Sequence, residues 1–170
     1  MKRCVAVLIL SAIVAHVVVV AFIPQLVMFA YFTKMKSADI EVNRVYHVPP
    51  INASFRKVVL PSPDLLYSYC IYDLSKGNVL VEAEVPEGAY WSASFYDSAT
   101  NNFFTLNDRD VGKEARILLV KEVDGMKEMD ATVVKAKSEK GLILFRIFIP
   151  DESVIPYLDK VRRNSSCQVI

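Results

Sequence analysis

Between Cys4 and Phe32 the chain carries no charged side chain, and the run is mostly Val, Ile, Leu, Ala and Phe, interrupted by Ser11, His16, Pro24 and Gln25. A helix needs about 20 apolar residues to cross the hydrocarbon core, so this stretch suffices with length to spare for tilt. A cleaved signal peptide is the rival reading, with an apolar core of about 7–15 residues ending at a small-residue cleavage site. The run here is longer and lacks such a site, which favours an uncleaved anchor over residues 1–36 with the lipid bilayer as its partner. Cys4 lies too near the start to be a lipoprotein cysteine. Lys2 and Arg3 precede the run while Lys34, Lys36 and Arg44 follow it, so the positive-inside count leaves the orientation open. Pro24 removes one backbone donor and kinks the helix in its outer third. His16 falls near mid-span, where the bland role is a neutral imidazole bonded to a carbonyl or a partner helix.

That one segment accounts for the apolar share of 53%, against about 45–50% in an average soluble chain. What remains of the 170 residues is enough for one core. Lys and Arg number 20 against 19 for Asp and Glu, so the electrostatic footprint of a nucleic-acid binder is missing. The three cysteines, Cys4, Cys70 and Cys167, have no zinc-module spacing, and two of them suffice for one bridge.

Residues 37–63 lose clean periodicity and hold Pro49, Pro50, Pro61 and Pro63, the marks of a partly extended connector. Val58-Val59-Leu60 reads as one edge strand within it. From residue 64 to 170 short segments rich in aromatic and β-branched residues alternate with turn residues. Tyr67–Asp73 runs into a turn that needs positive φ at Gly77. Val79, Val81, Ala83 and Val85 share one face opposite Glu82 and Glu84, the pattern of a half-solvated strand. After a turn at Pro86-Glu87-Gly88, Trp91, Ala93 and Phe95 oppose Tyr90, Ser92, Ser94 and Tyr96. Further strands fall at 103–106, 115–120 and 131–136, the last two separated by a polar loop around Gly125. Residues 142–149 are apolar on both faces except for Arg146, as in a central strand. Ser153 is the expected cap of a short helix with Pro156 in its first turn and Val154, Leu158 and Val161 facing the body. Seven or eight short strands must bury their apolar faces against a second sheet. The fold class is therefore mainly β, a jelly-roll-like antiparallel β-sandwich with one N-terminal transmembrane helix and a short C-terminal helix.

Chemistry-bearing constellations are few. The body holds one histidine, His47, and no Gly-x-Ser-x-Gly elbow, and nothing in the spacing requires a triad of Ser94, His47 and Asp97, so no catalytic residue is assigned. Asp97, Asn101, Asn102, Asp108 and Asp110 offer oxygen ligands, but residues of these types in such loops are ordinarily turn formers; no metal and no cofactor is expected. A guanidinium at Arg146 has to be paired or reach solvent, and Asp97 and Asp73, each at a strand end, are the candidate partners for a structural ion pair. Tyr67, Tyr69, Tyr90, Trp91, Tyr96 and Phe104, with Arg146, either line a pocket for a small apolar or lipid-like ligand or form an aromatic core. A hydrolase or carbohydrate-directed enzyme is suggested by the sandwich alone, which is analogy.

The string from Tyr67 to Gly77, with its Tyr-Asp-Leu-Ser-Lys-Gly ending, is followed by Gly88-Ala89-Tyr90-Trp91-Ser92 and Phe95-Tyr96-Asp97. In that order and spacing they resemble the domain of unknown function 1254, and more narrowly its short, membrane-anchored bacterial members. His16 and Pro24 in the anchor, Pro49-Pro50, Leu106-Asn107-Asp108-Arg109, and Arg146 followed by Pro150 extend the resemblance over nearly the whole chain. It implies a β-sandwich, a bacterial source, and an inner-membrane protein with its body in the periplasm, and no established reaction. In longer relatives a second domain, the domain of unknown function 1214, follows in the same polypeptide. The chain stops at Ile170 without room for it, so a separate companion is expected to supply it, paired through the His16 and Pro24 helix. The implied orientation puts Cys70 and Cys167 in an oxidising compartment, where a bridge between them would pin the C-terminal tail to the opening strand.

Overall fold

The structure, a computed structural model, describes residues 2–37, 40–52, 55, 61–123 and 130–170. The expected edge strand at 58–60 and the loop around Gly125 lie outside the described residues. Helix α1 runs over Lys2–Ser37 with Pro24 inside it, and is long and apolar enough to cross a membrane. Over residues 2–34 its side chains are almost all exposed. The exceptions are Met28, 7% exposed, and Pro24, Tyr31 and Phe32, which are half-buried. Spacings of four, seven and eight residues put these four on one face of the helix, and Tyr31 lies within electrostatic range of Tyr69.

Nine strands follow among the described residues: β1 (Val45–His47), β2 (Leu65–Asp73), β3 (Val79–Glu84), β4 (Trp91–Tyr96), β5 (Asn102–Asn107), β6 (Glu114–Val120), β7 (Thr132–Lys135), β8 (Lys140–Phe148) and β9 (Ser166–Val169). Helix α2 (Ile155–Arg162) sits between the last two. One sheet has the order β1-β2-β8-β4-β5 and the other β7-β6-β3-β9, which makes the sandwich. Its pairings are antiparallel except β6 with β7, which run parallel, so the second sheet is mixed and not wholly antiparallel as expected. The central position anticipated for residues 142–149 holds, since β8 lies between β2 and β4.

Strand alternation decides what lines the interior. Leu66, Cys70 and Tyr72 of β2, Ile143, Phe145 and Ile147 of β8, and Trp91, Ala93 and Phe95 of β4 face Val79, Val81 and Ala83 of β3 and Ala115, Ile117 and Leu119 of β6. Cys70 of the first sheet is bonded to Cys167 of β9 in the second, a covalent tie across the core between residues 97 apart in sequence. The connector is not merely a linker, because β1 adds an edge strand to β2 in the register Tyr46 opposite Tyr69. Ser153 does not cap α2: it lies in a 3-10 turn over Glu152–Val154 that leads into the helix. That turn is capped by Asp151, whose carboxylate accepts from the Ser153 amide at 2.8 Å, while Val154 at the start of α2 makes no side-chain capping bond. Leu158 and Val161 are buried as anticipated, and α2 lies against β2 and β3.

Arg162 also faces inward from α2 and is 3% exposed. It donates to the carbonyls of Val48 at 2.7 Å and Tyr67 at 2.8 Å, and its Nε donates to Asp159 at 2.7 Å. Breaking a buried pair of this kind by removing one partner costs about 3–5 kcal/mol. Arg163 shares the carboxylate at 2.8 Å. Burial alone would raise the Asp159 pKa, but the hydrogen bonds and charge of Arg163 and Arg162 hold it below the usual carboxylate value. The arginine thus joins the segment after β1 to β2.

Candidate functional site

The outer face of the first sheet carries most of the residues singled out as a candidate ligand set. Across its strands, Tyr46, Tyr69, Leu144, Ser94 and Thr105 lie in one row, and Tyr67, Arg146, Ser92 and Asn107 in the next. Tyr46 and Tyr69 stack with ring centroids 5.9 Å apart. Burial, with Tyr46 adding to it, pushes the Tyr69 phenol up. Tyr67 is held by the connector, its hydroxyl accepting from the Ser62 amide at 3.0 Å.

The six candidates do not form one pocket. Trp91 is 1% exposed inside the sandwich, tilted against Phe145 at 6.4 Å, and Phe104 packs edge-on against Phe95 at 5.5 Å. These two belong to the core because odd and even residues of a strand point to opposite faces. Tyr67, Tyr69, Tyr96 and Arg146 stay on the outer face, while Tyr90, just before β4, lines a cleft at the end of the sandwich.

Arg146 does not reach either proposed carboxylate. Its terminal nitrogen donates to Ser94 Oγ at 3.0 Å. Its Nε and the Ser92 hydroxyl beside it are buried without a hydrogen-bond partner. Among the described residues no carboxylate pairs with it. Asp73 is taken by Lys140 at 3.0 Å, and bonds from Ser75 and Lys140 outweigh burial to hold its pKa down. Asp97 closes its own turn, accepting from the amides of Ala99 at 2.8 Å and Asn101 at 2.9 Å and from the Asn101 side chain at 2.9 Å. Asp73 pairs with Lys140 and Asp97 follows Tyr96, which pairs with Leu142, so both aspartates sit at the start of β8, whereas Arg146 is near its other end, too far along the sheet to meet them.

His47 is on the opposite edge of the sheet from Asp97 and bonds through Nδ1 to Ser68 Oγ at 2.9 Å, not to Ser94. Ser68 is only 2% exposed and His47 half-buried, and their bond fastens β1 to β2. The pKa of His47 is lowered, first by burial and then by the positive charges of Arg162 and Arg163. His16 lies on an exposed part of α1 and Pro24 on its half-buried face.

A cleft of about 660 Å³ opens where two turns meet, the 85–90 connection from β3 to β4 and the 107–113 connection from β5 to β6. The turns are tied together by backbone. Asp108 donates its amide to the Trp91 carbonyl at 3.1 Å, while its carboxylate accepts from the Trp91 amide at 3.2 Å. The Arg109 amide donates to Asn107 Oδ1 at 2.8 Å and the Asn107 amide to Asp110 at 2.9 Å. Lys113 and Glu87 pair across the rim at 2.8 Å. Gly88 supplies the positive φ, +76°, that the first turn requires. In the sequence Pro86-Glu87-Gly88 and Asn107-Asp108-Arg109-Asp110 read as two separate turns, and their meeting follows only from the strand order.

A family model described as a protein of unknown function (DUF1254) matches residues 42–168. Among solved structures, the VPA0106 protein from Vibrio parahaemolyticus aligns with a TM-score of 0.68 and 15% identity over 88% of this chain and 36% of its own. An uncharacterised protein from Burkholderia cenocepacia aligns with a TM-score of 0.53 and 16% identity over 79% of this chain and 36% of its own. At these identities the likeness is one of fold, and the chain spans about a third of the length of either relative. No curated protein sequence matches it.

Proposed function

The chain belongs to the DUF1254 family of proteins of unknown function, and from that premise we propose that it is a single-pass protein of the bacterial inner membrane whose periplasmic sandwich serves as a non-enzymatic accessory or interaction module. Its companion carries the domain of unknown function 1214, and the helix bearing His16 and Pro24 helps to pair the two. The observation that carries this reading is the join of a helix with a charge-free stretch of membrane-spanning length to a sandwich stapled by a disulfide, the bond of an oxidising compartment.

Two further features support a role beside another protein. In both solved relatives the part resembling this chain is 36% of a larger whole. The outer face of the first sheet also presents a guanidinium with no carboxylate partner among the described residues, flanked by Phe148, which is 43% exposed. Arginine and aromatic side chains are the groups enriched where proteins bind one another. The test is purification of the tagged full chain in mild detergent at native expression. Recovery with a second anchored protein, lost when His16 and Pro24 are replaced together by leucine, supports the reading; a strictly lone monomer overturns it.

A further inference from the structure

Four lining groups of the 660 Å³ cleft decide what it can hold. Its volume lies inside the range of about 300–1,000 Å³ typical of small-molecule sites. The bonds that fold its two turns use backbone amides, one carboxylate oxygen of Asp108, one of Asp110 and the carbonyl oxygen of Asn107. The Asn107 amide nitrogen, the second Asp108 oxygen, the Arg109 guanidinium and the Tyr90 hydroxyl are left without protein partners among the described residues. Tyr90 is 45% exposed, so its ring presents a flat apolar surface ending in a polar tip.

The charges on the lining cancel, with Arg109 and Lys113 against Glu87 and Asp108. A polyanion would meet the two carboxylates. A wholly apolar ligand would strip water from four polar groups and return no hydrogen bonds. An amide, a carboxylate and a guanidinium are each planar and can engage two adjacent hydroxyls at once, as donors, acceptors or both. Such groups beside a flat aromatic ring suit a molecule with hydroxyls around its edge and C–H bonds on its face.

We propose that this cleft is a saccharide-binding site of oligosaccharide size, with Tyr90 stacking under a sugar ring and Asn107, Asp108 and Arg109 bonding its hydroxyls. The two stretches that build it, Gly88-Ala89-Tyr90 and Asn107-Asp108-Arg109, are separated in sequence and carry part of the family resemblance. They meet only here. The site is independent of the companion proposed above, since it lies in the turns and uses neither α1 nor Arg146.

The test uses the full chain in a zwitterionic detergent without a sugar head group, titrated calorimetrically with the neutral trisaccharides maltotriose, cellotriose, mannotriose and tri-N-acetylchitotriose. At least one of these binds with a Kd of about 1 mM or tighter, and Tyr90→Ala and Arg109→Ala each weaken it about tenfold or more. The unfolding of both variants, followed by the fluorescence of Trp91, is unchanged, and Lys160→Ala on the exposed side of α2 binds as the parent does. The proposal is overturned if none of the trisaccharides binds at about 10 mM. It is equally overturned if binding survives in both cleft variants, or if inorganic sulfate alone displaces the sugar, which would make the site one for anions.

Discussion

Replacing the Cys70–Cys167 bridge tests the covalent closure of the sandwich. The bridge closes a loop of 97 residues, for which chain entropy gives a stabilisation of about 4.7 kcal/mol near room temperature. Cys70 is 0% and Cys167 5% exposed, so the double variant Cys70→Ala/Cys167→Ala also loses buried sulfur. Reducing the parent protein leaves both sulfurs in place and so isolates the cross-link, the difference between the two being the packing contribution. Unfolding in urea is read from Trp91, the one tryptophan, which is 1% exposed in the core. With a urea dependence of about 2 kcal/mol per M, reduction lowers the midpoint by about 2 M, and in a thermal scan by about 10–20 °C. Alkylation of the unfolded, unreduced protein should label Cys4 alone, and all three cysteines after reduction. A reduced protein that unfolds at the same urea concentration as the oxidised one would refute the entropy argument, and three reactive thiols in the unfolded, unreduced protein would remove its premise.

Two substitutions probe the packing around β8. A Cβ on Gly141 would lie 2.1 Å from the Tyr96 carbonyl oxygen and 2.3 Å from the Tyr72 hydroxyl. Gly141→Ala is therefore expected to cost about 3 kcal/mol or more in the urea titration, and a cost below about 1 kcal/mol would contradict this close approach. Tyr72, fully buried, donates to the Tyr96 carbonyl at 3.2 Å, and burial pushes its phenol from 10.0 up to about 12 against a smaller opposing pull from Ser138. Its raised value favours the protonated form in the folded state, so this contribution is complete below pH 10 and is lost between there and about 12, a decline of about 3 kcal/mol. In Tyr72→Phe, stability at neutral pH falls by about 1 kcal/mol through the lost hydrogen bond. Its alkaline decline should be shallower; parallel profiles for parent and variant would assign the decline to other groups.

Where the pattern repeats every two residues, the sequence is informative, because the side chain's direction is local. Val79, Val81 and Ala83 are buried while Glu82 and Glu84 are half-exposed, and Trp91, Ala93 and Phe95 fill the interior as their alternation requires. The same alternation divides the aromatic set, so chemical likeness was a poor guide to which rings share a site. Strands β1 and β9, of three and four residues, are too short for any period, and long-range pairing with β2 and β3 creates them. The cleft was hidden for a related reason. Asn107, Asp108 and Gly88 are each accounted for by a local turn, and only the passage of the chain from sheet to sheet brings the turns together.

The two arginines put the same division in electrostatic terms. Arg146 drew notice because it interrupts an apolar strand, yet it shares its face with Leu144 and Phe148, which are half-buried and exposed. Arg162, beside the exposed Arg163 in a polar helix, has the look of a solvated charge. A helix buries a stripe, however, and Leu158, Val161 and Arg162 stand at the spacing of one. Asp159 three residues earlier supplies the countercharge that makes such burial tolerable. The guanidinium that the interior has already neutralised is therefore the one on the helix. The guanidinium on the sheet, bonded among the described residues to Ser94 alone, is the charge left for a group that approaches that face from outside, which is where the proposed companion would dock.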